Sequence, residues 1–173
     1  MNLHDFLKAL EATPLAAAVR GATPGWDWLF PIVETVHVIA LALVFSSIVM
    51  LDLRLVGMAS RESSVSRLSR ELLPITWTAF VVAAISGSLL FTGKASYYMV
   101  NPWFLGKMAL MGLAGVNMIA FHLIPWTNVR TFDVATVIPG GVKRAGILSL
   151  LLWIGVICCG RMIGFTLDKY LPF

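Results

Sequence analysis

Apolar residues along this chain run in four long blocks, at about 31–56, 74–92, 103–125 and 145–165, separated by shorter polar stretches. The blocks are apolar on all sides, and each is close to the roughly 20 residues that cross a hydrocarbon core of about 30 Å. The pattern predicts four membrane-spanning helices. Ahead of them, Leu3, Phe6, Leu7 and Leu10 recur at helical spacing while Asp5, Lys8 and Glu11 fall on other faces. That predicts, for residues 1–20, a short amphipathic helix lying in the membrane surface; a cap over the bundle fits nearly as well. The connections are short, so consecutive helices are expected to be antiparallel neighbours, with Pro74 opening the second span. The longest link, 127–144, breaks at Pro139, Gly140 and Gly141. The expected fold is all-α, an integral membrane four-helix up-down bundle forming a single domain over 1–173.

Composition agrees with the pattern. Hydrophobic residues make up 58% of the 173, charged residues only 13%, and mean hydropathy is +0.85; a soluble domain carries about twice that charge. The net charge of +4 is too small and dispersed for a nucleic-acid partner. It bears instead on topology. Arg54, Arg61, Arg67, Arg70, Arg130, Lys143 and Arg144 fall on one side, against Lys8, Arg20, Lys94 and Lys169 on the other. Basic loops stay cytoplasmic, so both termini are expected on the periplasmic face of a bacterial inner membrane. The N-terminus has neither the basic start nor the short apolar core of a cleaved secretory signal. Cys158 and Cys159 are adjacent in the fourth block, a spacing that serves neither a disulfide framework nor a metal site, and are read as packing residues. Gly160 and Gly164 form a GxxxG spacing; it would serve a homo-oligomer, but packing within the chain explains it as well and is preferred.

Polar residues inside the blocks carry the candidate chemistry. Glu34 and His37 are three apart and share one helical face. A haem clamped between His37 and His122 is disfavoured by depth: His37 lies about 9 Å into the first span and His122 about 28 Å into the third, which runs in the same direction. The same arithmetic puts Lys107 and Arg161 each about 6 Å from the outer face, level with Glu34 and His37. Each could be innocent alone, the cations snorkelling outward and the histidine a bonded core residue. Four ionisable residues in one layer on three helices instead indicate a site. Near the inner face, Asp52, Arg54 and His122 form a second layer, read as interface anchoring with a local ion pair.

Neutral imidazole is the commonest protein ligand of haem iron. In the outer layer His37 would ligate haem b, with Lys107 and Arg161 pairing the propionates and Glu34 orienting a cation or carrying a proton. Ala40, Ala109, Gly112 and Gly155 would leave room for a flat ring. Met108, Met111, Met162 or a neutral Lys107 stand at heights suited to a second axial ligand, although packing is the usual methionine role; a position open for chemistry fits equally.

The runs "LFPIVETVHVIALALVFSSIVMLDLRLVG", "LLPITWTAFVVAAISGSLLF", "NPWFLGKMALMGLAGVNMIAFH" and "LLLWIGVICCGRMIGF" resemble bacterial four-helix membrane proteins of the DUF6644 type. More distantly, the early His37, the "LRL" after it and a third helix opened by Lys107 and closed by His122 look like HemJ-type protoporphyrinogen oxidases and CopD-like membrane domains. The HemJ likeness implies a haem-binding protein with His37 and Lys107 at the cofactor or porphyrin site; that pattern has no counterpart to Glu34 or Arg161. Three functions are therefore expected in order. The first is a haem b protein exchanging electrons with a quinone or a periplasmic redox partner. The second is an oxidoreductase acting on a porphyrin or another small apolar molecule. The third is a cofactor-free transporter component or structural subunit.

Overall fold

The computed structural model describes residues 2–59, 64–123, 138–166 and 169–170, without the side chain of His122. Arg61, Arg130 and most of the longest link lie outside the described residues. The elements are all helices: α1 (Leu3–Glu11), α2 (Pro14–Val19), α3 (Leu29–Val56), α4 (Val65–Gly93), α5 (Ala95–Val100), α6 (Pro102–Leu123) and α7 (Gly140–Phe165). Of these, α3, α4, α6 and α7 are long and apolar enough to cross a membrane. At most 22% of the most apolar stretch of any of them is buried by the rest of the chain. Large apolar side chains such as Ile39, Val81, Val116 and Leu151 are exposed along their flanks, as a lipid solvent allows. Hydroxyls within the spans bond carbonyls of their own helix: Thr35 donates to Pro31, Ser46 to Ala42, Ser47 to Leu43 and Ser88 to Ala84. No polar hydrogen is thereby presented bare to hydrocarbon at these positions.

Boundaries differ from expectation in three places. The second span does not open at Pro74. It starts at Val65, where the Ser64 side chain accepts the Arg67 N–H, and Arg67 pairs with Glu71 one turn on. Val65 and Leu68 are buried while Arg67, Arg70 and Glu71 are exposed, so an amphipathic first segment precedes the apolar one. Pro74 then lies inside the helix, depriving the Arg70 carbonyl of its usual donor. The fourth span starts at Gly140, five residues before the apolar block. Residues 1–20 form two helices, because Pro14 occupies the first position of α2 and cannot continue α1.

Packing runs in the order α4, α3, α7, α6, with α3 held between α4 and α7, and α6 against α7. Each packed pair is antiparallel by its contacts: His37 near the start of α3 meets Gly87 near the end of α4, Gly146 meets Asp52, and Lys107 meets Gly160. Glycine lets the backbones close. A Cβ on Gly146 would stand 3.2 Å from the Asp52 carbonyl oxygen, and one on Gly155 would stand 3.0 Å from Leu110 Cδ1. Gly160 lies under Lys107, whereas Gly164 meets nothing within 4 Å. Between α4 and α6, Phe91 stacks on Phe104; elsewhere a groove lined by Leu73, Trp77, Met118, Ile119 and Leu123 separates them. At the end where α3 finishes, Leu55, Val65, Phe121, Ile138 and Val142 form an apolar cluster. Following the charge bias, that end is called inner.

The outer end is closed by α1, α2 and α5. Glu11 Oε1 accepts the Ser96 N–H at 2.7 Å, a carboxylate at the first turn of α5. Arg20 Nη1 donates to the Glu11 and Gly93 carbonyls at 2.8 and 3.2 Å. Leu7 is buried in this contact while Leu3 and Phe6 are exposed, so α1 turns one apolar edge onto the bundle and another away from it.

Candidate functional site

His37 sits in the third turn of α3, and its ring is seated on α4. Nδ1 lies 3.0 Å from the Ala83 carbonyl oxygen and 3.1 Å from Ser86 Oγ. A carbonyl only accepts, so Nδ1 carries the hydrogen; the Ser86 hydroxyl spends its own proton on Val82 O at 2.7 Å. Nε2 is then the unprotonated nitrogen with a lone pair to offer. This seat depends on Gly87, where a Cβ would stand 2.8 Å from His37 Cε1.

Lys107 faces this layer from α6. Its stem runs along Gly160, whose added Cβ would lie 3.9 Å from Cδ and 4.0 Å from Nζ. Glu34 is exposed, one turn outward of His37, and its charge acts on Tyr98. Tyr98, in α5 outside the spans, has its phenol pushed above the ordinary value, first by burial and then by neighbouring Tyr97 and Glu34. The layer therefore holds His37, Lys107, Glu34 and Tyr98. Arg161, next to Gly160, stands at the same level; its side chain is exposed, with the guanidinium 5.0 Å over the Phe165 ring.

The ladder of contacts along α7 gives the depth of each residue. Gly146 meets Asp52 and Gly160 meets Lys107, levels fourteen residues or about 21 Å apart on a helix. His37 precedes Asp52 by fifteen residues on α3 and His122 follows Lys107 by fifteen on α6, about 22 Å in each case. His37 and Lys107 thus share the outer level, and the backbone of His122 shares the inner level with Asp52. No single iron spans that separation.

Among the small residues expected to leave room for a ring, Ala40 is buried and Gly155 is filled by Leu110, whereas Gly112 meets nothing within 4 Å and Ala109 is exposed. Met108 is exposed, and Met111 and Met162 are half-buried. Cys158 and Cys159 are free thiols, the second 3.7 Å from the place of a Cβ on Gly106. No group of three or more His, Cys, Asp or Glu that could hold a bare metal ion exists among the described residues. Haem asks for less, since the porphyrin supplies four nitrogens and the protein one or two. A histidine with Nδ1 anchored to a carbonyl and Nε2 uncommitted fits that need, because such an anchor fixes ring and tautomer for an iron ligand.

Two polar groupings escaped the reading of the sequence. Asn101, 0% exposed, donates to Tyr97 Oη at 2.6 Å and to Thr166 Oγ1 at 3.1 Å, while its own oxygen accepts the Trp103 N–H at 2.9 Å. Tyr97 in turn donates to the Ile163 carbonyl. This knot ties α5 and the start of α6 to the end of α7; the Asn101-Pro102 pair, a capping residue before a helix-opening proline, was its one sequence signal. In the inner layer, Asp52 has Ser149 of α7 as a polar neighbour, which no local pattern indicates.

No curated protein and no solved structure matches the chain. Residues 27–166, from just before α3 to the end of α7, match the sequence model of a family of unknown function, DUF6644, and the chain belongs to that family.

Proposed function

We propose that this protein is a haem b membrane protein that passes electrons in the outer half of the bilayer, with His37 Nε2 as the atom that would hold the haem iron. The observation that carries the reading is the seat of His37, its Nδ1–H on Ala83 O and its ring against Gly87. A haem held there by His37 would supply one-electron redox chemistry. Lys107 would pair a propionate, its stem already laid along Gly160. Glu34, exposed at the outer end, would hold or pass a proton near the ring edge. Arg161 would serve a propionate only after leaving Phe165. The four spans would cross in alternation as an up-down bundle, with both termini periplasmic in a bacterial inner membrane, and the electron partner would be a quinone or a periplasmic redox protein. The HemJ and CopD likeness favours a tetrapyrrole at this place.

Two other readings have support of their own. An oxidoreductase acting on a porphyrin or another small apolar molecule draws on His37 as the one histidine at this level among the described residues. A cofactor-free transporter component or structural subunit draws on Lys107 along Gly160 and Arg161 over Phe165, postures that snorkelling cations adopt unaided.

An optical spectrum of the protein purified from haem-replete cells, before and after dithionite, separates them. A Soret band and a reduced α band are expected, lost in His37→Ala and retained in His122→Ala. A colourless wild-type protein overturns the haem reading. Turnover of protoporphyrinogen would convert the carrier into an enzyme.

A further inference from the structure

Asp52 lies at the opposite end of the spans from His37 and is 6% exposed. Ser149 of α7 is the polar side chain nearest in effect to its carboxylate, and Oδ2 is buried without a hydrogen-bond partner among the described residues. The helices close tightly where its backbone meets α7. A Cβ at Gly146 would stand 3.2 Å from the Asp52 carbonyl oxygen, 3.3 Å from Leu55 Cβ and 3.4 Å from Val56 Cγ2, and Leu55 belongs to the inner apolar cluster.

The charged groups of the neighbouring helices face elsewhere. On α7, Lys143 and Arg144 are exposed; on α4, Arg70 is exposed and Arg67 is paired with Glu71. On α3 itself Arg54 is buried and engaged in interactions of its own, and two residues of helix separate its direction from that of Asp52 by about 200°. On α6 at this level, Asn117 donates to the Ala145 carbonyl at 3.1 Å, and His122 is the titratable residue. A buried carboxylate oxygen with no donor against it among the described residues is strongly unfavourable as an anion, and such groups take up a proton instead. An ionisable residue placed so within a span marks a functional path.

We propose that Asp52 is a proton-binding site built into the seam between α3 and α7. One proton from the inner aqueous side adds to Oδ2, forming an O–H bond and breaking none. The carboxylate becomes a neutral carboxylic acid beside the Ser149 hydroxyl. The neutral acid is the form that the closed seam holds; loss of the proton leaves a charge that opens Gly146 away from Asp52. The site is independent of the haem reading, about 21 Å away along α7.

The test uses the whole protein in lipid nanodiscs. Infrared spectra at neutral pH are expected to show a protonated-carboxyl band that shifts in D2O and is missing in Asp52→Asn. Raising the pH should remove the band together with an increase in amide hydrogen exchange across residues 50–56 and 143–149. Asp52→Asn, neutral at every pH, should show no such increase. Should that variant fail to fold, Ser149→Ala is expected to retain the band at higher frequency, the acid having lost the hydroxyl beside it. Absence of the band in folded wild-type protein, an unaltered band in either variant, or its removal when sodium replaces choline at constant pH, the mark of a metal-cation site, overturns the proposal.

Discussion

At the scale of single residues, the His37 seat is decided by an absence of bulk opposite it. Gly87 costs α4 helical propensity, about 1 kcal/mol relative to alanine in an exposed helix interior. Alanine there would recover that preference but would set its Cβ 2.8 Å from His37 Cε1, a distance at which the ring must move. Overpacking of this kind costs about 1–3 kcal/mol. Gly87→Ala is therefore expected to lower the melting temperature despite its better helix former, and to loosen the Nδ1–H bond to Ala83. Nitrogen NMR of labelled histidine reads this as a loss of the fixed Nδ1–H tautomer; an unchanged tautomer with raised stability would show that the ring does not depend on the glycine. His37 itself was conspicuous in the sequence because an ionisable residue stands out in an apolar run. Its partners were not, because Ala83, Ser86 and Gly87 are the common small residues of any membrane helix, and only their position opposite His37 gives them a role.

At the scale of elements, the outer end depends on α5, a six-residue helix in a stretch that reads as a loop. Six residues cannot hold a helix by propensity. Tertiary bonds do so instead: Glu11 at its first turn, and Tyr97 and Asn101 tied to Ile163 and Thr166. Asn101→Ala removes two buried side-chain bonds and the cap on Trp103 N. A buried polar group left without its partner costs about 1–3 kcal/mol, and a lost cap about 1 kcal/mol. The variant should melt several degrees below Thr35→Ala, which removes only an exposed hydroxyl bonded to its own helix. Equal melting temperatures for the two would show that the knot contributes nothing net. Element limits were legible where apolar runs begin and end against polar ones, as at the close of α3 and α7. They were hidden at the start of α4, where Arg67, Arg70 and Glu71 resemble a link although Val65 and Leu68 are turned inward.

At the scale of the whole molecule, the number of spans was legible because lipid demands about 20 apolar residues per crossing. Their packing order was not, because a helix apolar on every side carries no stripe to say which face meets a neighbour. Gly146, Gly155 and Gly160 choose the faces of α7 by admitting Asp52, Leu110 and Lys107, choices that exist only once the helices are placed. Orientation rests on a different property, the distribution of charge outside the spans. The inner end carries exposed Arg67, Arg70, Lys143 and Arg144, and the outer end exposed Lys8, Arg20, Lys94 and Lys169, so the exposed cations among the described residues balance and the bias comes from buried Arg54 together with Arg61 and Arg130. Each cytoplasmic Lys or Arg within about 15–20 residues of a span end counts toward retention, and Arg61 and Arg130 qualify by sequence position. Alkaline phosphatase joined to the C-terminus is accordingly expected to be active and a fluorescent protein at the same place dark, with the reverse for fusions after Met58. Replacing Arg61, Arg67 and Arg70 together by glutamine should lower the contrast between the two reporters. An active phosphatase after Met58 in the unaltered chain would invert the molecule, moving His37 to the cytoplasmic half and Asp52 to the periplasmic one.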